Sequence, residues 1–398
     1  MRTSKMEKAP FLPILLGSDE NAYGNARLFY DEYGIKPLLL CSRPLPPTSY
    51  SRILSRRVIK DFDNEAVFRG IMEEFLPILK NEAEHILVIP CSDYYAELVI
   101  KNRALIKKYS DTPAVTEELY QRFSDKPAFY RLCEEMKLPY PKTLILTAEE
   151  ILNTSLPFES TVIKPSNSNS FSYLHLEMDK KKKVYFCKTD DEVRKTAESF
   201  LSVGYRDPLV VQHYVEGGRS LVVNAYCDKN AKVRLIGAAE PILEYRAAAL
   251  IGNYAALKTV VNREVCNRII KFLEDIGYVG FANFDLKFDE KRNEYVFFEL
   301  NPRQGRSSYY LHTAGKNLMK TLCDDVVLNT KYSGVEYAEE EGVWRNVPRL
   351  LLKSLVSHPL SNNTRTDSAI TYLSDFSLMR AYTLIKRDIA ASRLFKES

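Results

Sequence analysis

The chain has 398 residues, which is more than one hydrophobic core usually organises and therefore predicts two or three domains. Hydrophobic residues make up 45% of the sequence and charged residues 27%, a balance typical of a soluble globular protein. The net charge of +4, from 56 basic and 52 acidic residues, is too small to indicate binding to nucleic acid or to a membrane surface.

The first twenty residues contain a short apolar run, broken by Pro10 and Pro13, that leads directly into Ser18, Asp19 and Glu20. No small-residue cleavage site follows, so we expect a polar lead-in and a first buried strand rather than a signal peptide. No segment is long and apolar enough to span a bilayer, and a cytoplasmic location is therefore expected.

The seven cysteines are scattered, odd in number and without CxxC pairs, a pattern that indicates reduced thiols. The five histidines are equally dispersed and form no HExxH motif. Neither residue type therefore predicts a disulfide framework or a zinc-dependent enzyme.

Strand and helix signals alternate through the first hundred residues. Apolar strand patterns cover 12–16, 36–41, 56–62 and 85–91. Helical patterns cover 68–80, 92–109 and the stretch after Gly17 that stops at Gly34. This alternation predicts a parallel α/β sheet. Gly17 and Gly24 do not form a GxGxxG fingerprint, so no nicotinamide site is predicted.

The pattern changes from about Gln121 onward. A short amphipathic helix is predicted to begin at Asp125, a plausible N-cap. Strands are predicted at 161–166, 208–218 and 220–227, and a later helix over 264–277 is predicted to end at Gly277. Two adjacent strands then follow, over 280–289 and 294–301.

The tail after about Tyr332 is predicted to be mostly helical. Near its end, five apolar residues recur at roughly helical spacing: Leu378, Tyr382, Ile385, Ile389 and Leu394. This spacing favours a terminal helix packed against the protein, with a helix lying on a membrane as the alternative.

Polar side chains alternate along the stretch FFELNPRQGR, residues 297–306, with Glu299, Asn301 and Arg303 at every second position. A two-strand hairpin can bring Asp285, on the preceding strand, opposite Glu299 and Asn301. Two carboxylates and an amide oxygen form a hard oxygen site of the kind that suits Mg²⁺. The alternative interpretation is a solvated strand face with incidental ion pairs.

The residues after this metal pattern suit an anionic reaction centre. The guanidinium of Arg303 matches a phosphoryl group or a developing oxyanion, and Arg306 adds a second one. Gly305 lets backbone N–H groups approach a ligand closely. Together they form the predicted catalytic group.

Two lysines lie upstream of this group. Lys126 follows the predicted N-cap Asp125, and Lys164 ends a buried strand before the loop SNSNSFS, which begins at Ser166. Backbone N–H groups of such a loop can bind phosphates, and the loop is also a candidate lid over a water-sensitive intermediate. Each lysine taken alone is also typical of a surface residue.

The strand over 208–218 runs from apolar residues into a polar exit. Its edge, from Gln212 to Val215, can present main-chain groups to an adenine ring, with Glu216 near the ribose. The alternative is a simple strand-to-turn transition.

In this order the motifs resemble the ATP-grasp superfamily, over about 119–330. The resemblance implies that Lys126 and Lys164 bind ATP and that Gln212, Tyr214 and Val215 belong to the adenine hinge. It also implies a metal group that binds two Mg²⁺ ions: Asp285, Glu299 and Asn301. Arg303 would stabilise the acyl phosphate and the tetrahedral intermediate.

Longer segments resemble the D-aspartate ligases of Gram-positive bacteria, among them FLPILLGSDENAYGNARLFYDEYG, KLPYPKT, IGNYA and ELNPRQGRSSYY. This family activates the β-carboxylate of D-aspartate with ATP. It then joins the acyl phosphate to the ε-amine of lysine in a UDP-N-acetylmuramoyl pentapeptide, a precursor of peptidoglycan cross-bridges. The expected partners are thus an amino acid and a UDP-linked muramoyl peptide.

The resemblance implies three regions. An N-terminal Rossmann-like, pre-ATP-grasp domain with a parallel sheet would cover 1–118. A two-subdomain ATP-grasp domain would cover 119–330, with a mobile subdomain over about 158–215. A mostly helical C-terminal region would cover 331–398.

Several points stay open in the sequence. The segment 240–249, with Arg246, departs from the expected family pattern and could contact the acceptor or the amino-acid carboxylate. No dedicated base stands out, and Asp93 is only one candidate. The alternative functions are a ligase that forms another amide or dipeptide and an ATP-binding regulator without turnover. A peripheral contact with the membrane face and the oligomeric state are also undetermined.

Overall fold

The computed structural model describes residues 9–166, 173, 175–178, 181–182, 184–217, 219–245, 252–356, 364–393 and 395. The chain divides into two compact units. The larger unit comprises Met1–Glu117, Val222–Asn283 and Asn301–Ser398, and the smaller unit comprises Glu118–Leu221 and Phe284–Leu300. The three-region division inferred from the sequence stays a prediction.

The helices, numbered in chain order, have these bounds: α1 Glu20–Tyr33, α2 Glu65–Glu82, α3 Asp93–Lys101, α4 Arg103–Ile106, α5 Glu117–Gln121, α6 Lys126–Glu135, α7 Ala148–Asn153, α8 Asp190–Ser202, α9 Arg263–Asp275, α10 Tyr310–Thr313, α11 Leu318–Val326, α12 Arg349–Leu355 and α13 Leu378–Arg393. Short 3₁₀ turns cover Pro46–Thr48 and Leu373–Asp375. Among the described residues, no helix combines the length and hydrophobicity that crossing a membrane requires.

The strands have these bounds: β1 Ala9–Leu16, β2 Leu38–Cys41, β3 Ser55–Val58, β4 Ala83–Pro90, β5 Thr143–Leu146, β6 Thr161–Pro165, β7 Tyr185–Cys187, β8 Leu209–His213, β9 Ser220–Cys227, β10 Val233–Glu244, β11 Tyr254–Val260, β12 Gly280–Asp289, β13 Glu294–Asn301, β14 Glu336–Ala338, β15 Val343–Arg345 and β16 Thr366–Ser368.

The N-terminal part of the larger unit confirms the predicted parallel sheet, with the strand order β3-β2-β1-β4. Its first helix begins at the N-cap Asp19 and ends at Gly34, whose φ of 66° is the left-handed conformation that glycine adopts without strain. The single helix predicted over 92–109 is wrong, because Asn102 interrupts it. The Asn102 amide donates to the Leu98 carbonyl at 3.0 Å, and such local side-chain bonds compete with a continuous helix.

The second sheet has the strand order β13-β12-β9-β10-β11-β15-β16, with β14 paired to β10. Its last strands correct the expectation of a mostly helical tail, because β14, β15 and β16 all follow Lys331. Trp344 pairs with Leu257 of β11 and is almost fully buried. Strands of three residues are too short to show a period in the sequence, so this contribution was missed.

The C-terminal helix α13 also differs from its prediction. The apolar stripe expected to pack inward is instead exposed, with Leu378 at 80%, Ile385 at 58% and Ile389 at 54% of full exposure; Leu394 lies outside the described residues. The helix is anchored by Arg380, which is buried, pairs with Asp375 at 3.2 Å and donates to three backbone carbonyls. A buried ion pair therefore holds the helix against the protein, whereas the periodicity predicted that apolar side chains would do so.

The smaller unit contains an antiparallel sheet with the strand order β5-β8-β6-β7. Helix α6 begins as predicted, since the Asp125 carboxylate accepts a hydrogen bond from the Ala128 N–H at 2.8 Å. Of the predicted lid, Ser166 is described and the rest lies outside the described residues, as does Arg246.

Candidate active site

Lys164 is the centre of a cationic group in the smaller unit. It lies on β6 next to the inner strand β8, and its Nζ donates to the Gln212 Oε1 at 3.2 Å. The same ammonium lies 5.1 Å from the centre of the Phe298 ring. The lysine predicted to end a buried strand is therefore held against the sheet by an amide and an aromatic face.

The surroundings of Lys164 lower its pKa to about 7. Burial is the main cause, and the positive charges of Lys126 and Lys287 lower it further, while Glu299 opposes them. Lys126, Lys164 and Lys287, all in the smaller unit, form a lysine cluster. Such a cluster suits a polyanion such as a nucleotide phosphate chain.

Gln212 contacts Lys164 through its side chain, and its predicted place in an adenine hinge stays a prediction. Its main chain lies in the inner strand β8, paired with Thr143 on one side and Val162 on the other. Its side-chain Nε2 donates to the Thr143 Oγ1 at 2.8 Å, which orients Oε1 toward Lys164.

The hinge residues Tyr214 and Val215 have partly committed main-chain groups. The Tyr214 N–H donates to the Ser160 carbonyl at 3.0 Å, and the Val215 carbonyl accepts from Lys287 Nζ at 2.7 Å. Among the described residues, the Val215 N–H has no such partner, so it is the donor that this stretch can offer to a ligand. The Ser166 N–H is likewise used, by the Pro208 carbonyl, whereas the Glu216 side chain is exposed.

Lys287 is a site residue that the sequence interpretation missed. Its ammonium lies 5.2 Å from the centre of the Tyr214 ring as well as on the Val215 carbonyl. The available signal was its position two residues after Asp285 on β12, which places both side chains on one face of the strand.

The predicted metal residues offer suitable oxygens. Asp285 is half-buried on β12 and Glu299 is exposed on β13, both in the smaller unit. Asn301 belongs to the larger unit, is buried, and donates through Nδ2 to the Asn283 Oδ1 at 3.3 Å, which leaves its own Oδ1 to act as a ligand. Across the described ranges no three Asp, Glu, His or Cys side chains gather as a metal group.

Arg303, in the larger unit, has its guanidinium fixed from two sides. Its Nε donates to the Asp93 Oδ1 at 2.6 Å, and its Nη1 donates to the Gln304 carbonyl at 2.8 Å. Asp93, the candidate base from the sequence, is therefore committed to orienting an arginine.

Gly305 has a packing role that the sequence did not show, and its predicted catalytic role stays a prediction. Its N–H is buried and donates to the Asn224 Oδ1 at 2.6 Å, so it is engaged inside the protein. A Cβ at this position would lie 2.9 Å from Asn283 Nδ2 and 3.1 Å from the Asn224 amide. Only glycine therefore fits without displacing these two amides.

Arg306, which is half-buried, belongs to an ionic network around the buried Glu20. Its Nη2 donates to the Glu20 Oε1 at 2.9 Å, and Arg387 of helix α13 approaches the same oxygen at 3.4 Å. Asn346 Nδ2 also donates to Glu20, at 2.6 Å. Although burial opposes ionisation, the two guanidinium groups hold the pKa of Glu20 well below its usual range.

A set of buried amides supports the loop after β13. Asn21 and Asn25, one turn apart on α1, both donate to the side-chain oxygen of Gln304 at 3.4 Å. The sequence signal was the pair of asparagines on a helix face that is otherwise buried. Helix α1 thus fixes the position of the loop that carries Arg303 and Arg306.

The chain is similar in sequence to known proteins. Residues 183–321 match the family described as the carbamoyl-phosphate synthase L chain, ATP binding domain. The chain is 35% identical, over 401 residues, to a D-aspartate ligase of Enterococcus faecium (strain Aus0004), covering 95% of this chain and 94% of that protein. The chain belongs to the D-aspartate ligase family of ATP-grasp ligases. The family predicted from the motifs is confirmed.

Solved structures confirm the fold class at low sequence identity. The biotin carboxylase domain of the Hydrogenobacter thermophilus 2-oxoglutarate carboxylase, solved with MgADP, ADP and bicarbonate, has a TM-score of 0.59 at 14% identity, covering 83% of this ligase and 73% of that chain. The N5-carboxyaminoimidazole synthetase of Staphylococcus aureus has a TM-score of 0.58 at 14% identity, covering 84% and 81%. At such identities the similarity establishes the fold alone.

Proposed function

We propose that this ligase activates the β-carboxylate of D-aspartate as an acyl phosphate and joins it to the ε-amine of lysine in a UDP-N-acetylmuramoyl pentapeptide. The observation that supports this substrate pair most directly is the whole-chain similarity to the Enterococcus faecium D-aspartate ligase. The reaction type rests on family membership, whereas the two substrates are the proposal.

The lysine cluster is the proposed site for the ATP phosphates. Its Lys164 is half-buried with a lowered pKa, so phosphate charge would stabilise its protonated form. Lys126 would contribute a second ammonium, the Val215 N–H would bind the adenine, and Glu216 would lie toward the ribose. Ser166 begins the loop that would cover the phosphates.

Asp285, Glu299 and Asn301 would hold Mg²⁺, two ions in the form expected for this superfamily. Their two carboxylates and one amide oxygen are the hard donors that this ion prefers. Bound Mg²⁺ would screen the phosphate charge during phosphoryl transfer. The removal of one ligand, as in Glu299→Gln, should raise the Mg²⁺ concentration that half-maximal activity requires.

Arg303 and Arg306 would bind the activated carboxylate. Each guanidinium is already oriented by a carboxylate, Asp93 for Arg303 and Glu20 for Arg306. A donor fixed before the reaction stabilises a developing oxyanion without reorganisation. These arginines therefore suit the acyl phosphate and the tetrahedral intermediate that follows it.

The proposal is tested by phosphate release from ATP on a panel of D- and L-amino acids, with and without the lysine-containing muramoyl peptide. We expect full turnover only with D-aspartate and the peptide together, and mass spectrometry of the product should show one added aspartyl group. Turnover with a different amino acid and none with D-aspartate would contradict D-aspartate as the substrate. The assignment to the ligase class would still hold. Nucleotide binding without phosphate release on any panel member would instead favour the regulator.

We also propose that the exposed face of α13 contacts an anionic membrane surface. This face carries Leu378, Met379, Tyr382, Ile385 and Ile389, and it follows the exposed Leu373 and Phe376. The exposed charged residues of the helix, Lys386 and Arg393, are both basic. The positive charges on this face would repel the same face of a second copy of the chain. They would attract anionic lipid headgroups.

Flotation with vesicles of phosphatidylglycerol and phosphatidylcholine tests this contact. We expect the ligase to float with the anionic vesicles at low salt, and Ile385→Ser with Ile389→Ser to reduce the bound fraction several-fold. Equal recovery of the variant and the unmodified ligase would contradict the assignment of this face.

A further inference from the structure

A wide cavity lies at the carboxyl edge of the N-terminal parallel sheet. In the order β3-β2-β1-β4, the chain leaves β1 toward β2 on one side, while β4 lies on the other side. Loops after neighbouring strands diverge at such a switch point, which is where open α/β sheets bind ligands. The cavity has a volume of about 690 Å³, and its walls include Asp19, Arg43, Lys60, Asp63 and Tyr94.

Asp19 is the acidic wall residue in the loop after β1, between Leu16 and helix α1. Its Oδ1 accepts the Ala22 N–H at 3.1 Å and so caps helix α1. Within the part of the chain that the structure describes, its Oδ2 has no hydrogen-bond donor. One oxygen thus fixes the side chain, and the other is available to a ligand in the cavity.

Two other carboxylates near the same edge, those of Asp93 and Glu20, are already committed to arginines. Asp93 orients Arg303, and Glu20 is bound by Arg306, Arg387 and Asn346. If either carboxylate moved away from its arginine, a buried or half-buried guanidinium would lose its carboxylate partner. Asp19 differs because its fixed oxygen binds only a backbone amide.

The charges that face Asp19 favour a carboxylate that exchanges its proton near neutral pH. Burial and the negative charge of Glu20 raise its pKa to about 6, while the Ala22 N–H, Arg306 and Arg303 lower it. Cys91, after β4, also lies within its electrostatic reach, and burial keeps that thiol protonated by raising its pKa. From the cavity walls, Arg43, Lys60, Asp61, Asp63 and Tyr95 complete the titratable surroundings.

On the basis of the proposed function, we propose that this cavity receives the amine-bearing end of the acceptor and that Asp19 accepts the proton that its ammonium must lose. The carboxylates of the cavity would attract the ammonium, and the exposed Arg43 and Lys60 would suit acidic groups elsewhere on the acceptor. A neutral amine is required because a protonated nitrogen has no lone pair with which to attack.

The chemical step is balanced as follows. The ammonium gives one proton to Asp19 Oδ2, and the nitrogen lone pair attacks the carbonyl carbon of the acyl phosphate. A C–N bond forms, and the C–O bond to phosphate breaks with its electron pair on the departing phosphate. The second nitrogen proton passes to that phosphate or to solvent. Because Arg303 and Arg306 act on Asp19 electrostatically, the base lies near the residues proposed for the acyl phosphate.

Hydroxylamine separates the two half-reactions. It is largely uncharged at pH 7, so it can trap the acyl phosphate as a hydroxamate without an enzymic base. In Asp19→Asn, which retains a helix cap, we expect hydroxamate formation from D-aspartate and ATP to stay within about twofold of the unmodified rate. Amide formation with the muramoyl peptide should fall by about 10²-fold or more. Asp31→Asn, on the same helix but outside the cavity walls, should leave both rates unchanged.

Two outcomes would overturn the assignment: unchanged amide formation in Asp19→Asn, or an equal loss of hydroxamate and amide formation. Failure of the substrate proposal is distinct, because the unmodified ligase would then form no hydroxamate from D-aspartate.

Tyr94→Ala gives an independent answer if Asp19→Asn does not fold. Tyr94 is about half-exposed on the cavity wall, so its removal should be tolerated. We expect a several-fold rise in the KM for the peptide with an unchanged hydroxamate rate, and an unchanged KM would exclude the cavity as the acceptor site.

Discussion

The two units hold their positive charges in opposite ways. In the smaller unit, burial and the positive charges of Lys126 and Lys287 lower the pKa of Lys164 to about 7, and the charge of Glu299 opposes them. In the larger unit, Arg303 and Arg306 are each held by a carboxylate, at 2.6 Å and 2.9 Å. Neighbouring positive charges thus lower a lysine pKa in one group, whereas each arginine of the other is paired and fixed.

This difference follows from what each residue type can do. A lysine can lose its proton when it is buried, so a lysine cluster can exist without a ligand and can take up charge when phosphates arrive. An arginine stays protonated, so it must be paired when it is buried. The smaller unit is thus suited to a nucleotide that binds and leaves, and the larger unit to a reaction centre whose geometry is fixed in advance.

Glu20 is the residue whose change should affect the larger unit most. In Glu20→Gln, two guanidinium groups lose their shared negative partner, and we expect a loss of about 3 kcal/mol in the free energy of unfolding at pH 7. Chemical denaturation measures this loss, and Glu73→Gln, in an exposed pair on α2, should cost less than about 0.5 kcal/mol.

The Glu20 network also predicts how the free energy of unfolding changes with pH. Because the folded pKa of Glu20 lies below its unfolded value, its ionisation stabilises the fold above about pH 4.5. That contribution is lost as the pH falls through the folded pKa. The acid limb of the stability curve should therefore be shallower in Glu20→Gln, and an identical limb would contradict the network.

Arg303 should show the largest effect on turnover. Arg303→Ala removes a donor that is already oriented, and we expect kcat to fall by about 10²- to 10³-fold with the fold retained. Arg303→Lys keeps the charge but loses the planar fork, so it should recover only a small part of the rate. Equal activity of the lysine variant and the unmodified ligase would mean that charge alone is sufficient.

The sequence predicted the parallel sheet, the two helix termini at Asp125 and Gly34, and the enzyme family, because each depends on local chemistry or on a motif. It did not show the hydrogen-bond partners of Gly305 and Gln212, because a motif specifies residue types but not which neighbour each polar group contacts. Only the fold shows that Asn224 accepts the Gly305 N–H and that Gln212 accepts a hydrogen bond from the Lys164 ammonium.

Long-range pairings were invisible for a related reason. Glu20 and Arg387 are separated by 367 positions, and no spacing rule connects residues that far apart. The exposed stripe of α13 was likewise assigned to the wrong environment, since periodicity shows that a helix has an apolar face but not what covers it. Neither the acceptor cavity nor Asp19 as its base could therefore have been proposed from the sequence.

Lys164 should show a smaller effect than Arg303, and one confined to the nucleotide. In Lys164→Met we expect the KM for ATP to rise by about 10- to 100-fold, the effect of losing one charge-assisted hydrogen bond. The KM for the amino acid should not change, because no part of the proposed amino-acid site includes this residue. Steady-state kinetics with each substrate varied in turn measures both, and an unaltered KM for ATP would count against the phosphate role.

Proton uptake should reveal the lysine cluster directly. With a pKa of about 7, Lys164 is mostly neutral at pH 8, and bound phosphate would raise its pKa toward the ordinary lysine value. Binding of ADP with Mg²⁺ at pH 8 should therefore take up nearly one proton, and at pH 6 almost none. Calorimetry in two buffers of different ionisation enthalpy measures this number.

Lys164→Met should abolish the uptake. Lys126→Met should reduce it, because the loss of a neighbouring positive charge leaves Lys164 more protonated before the nucleotide binds.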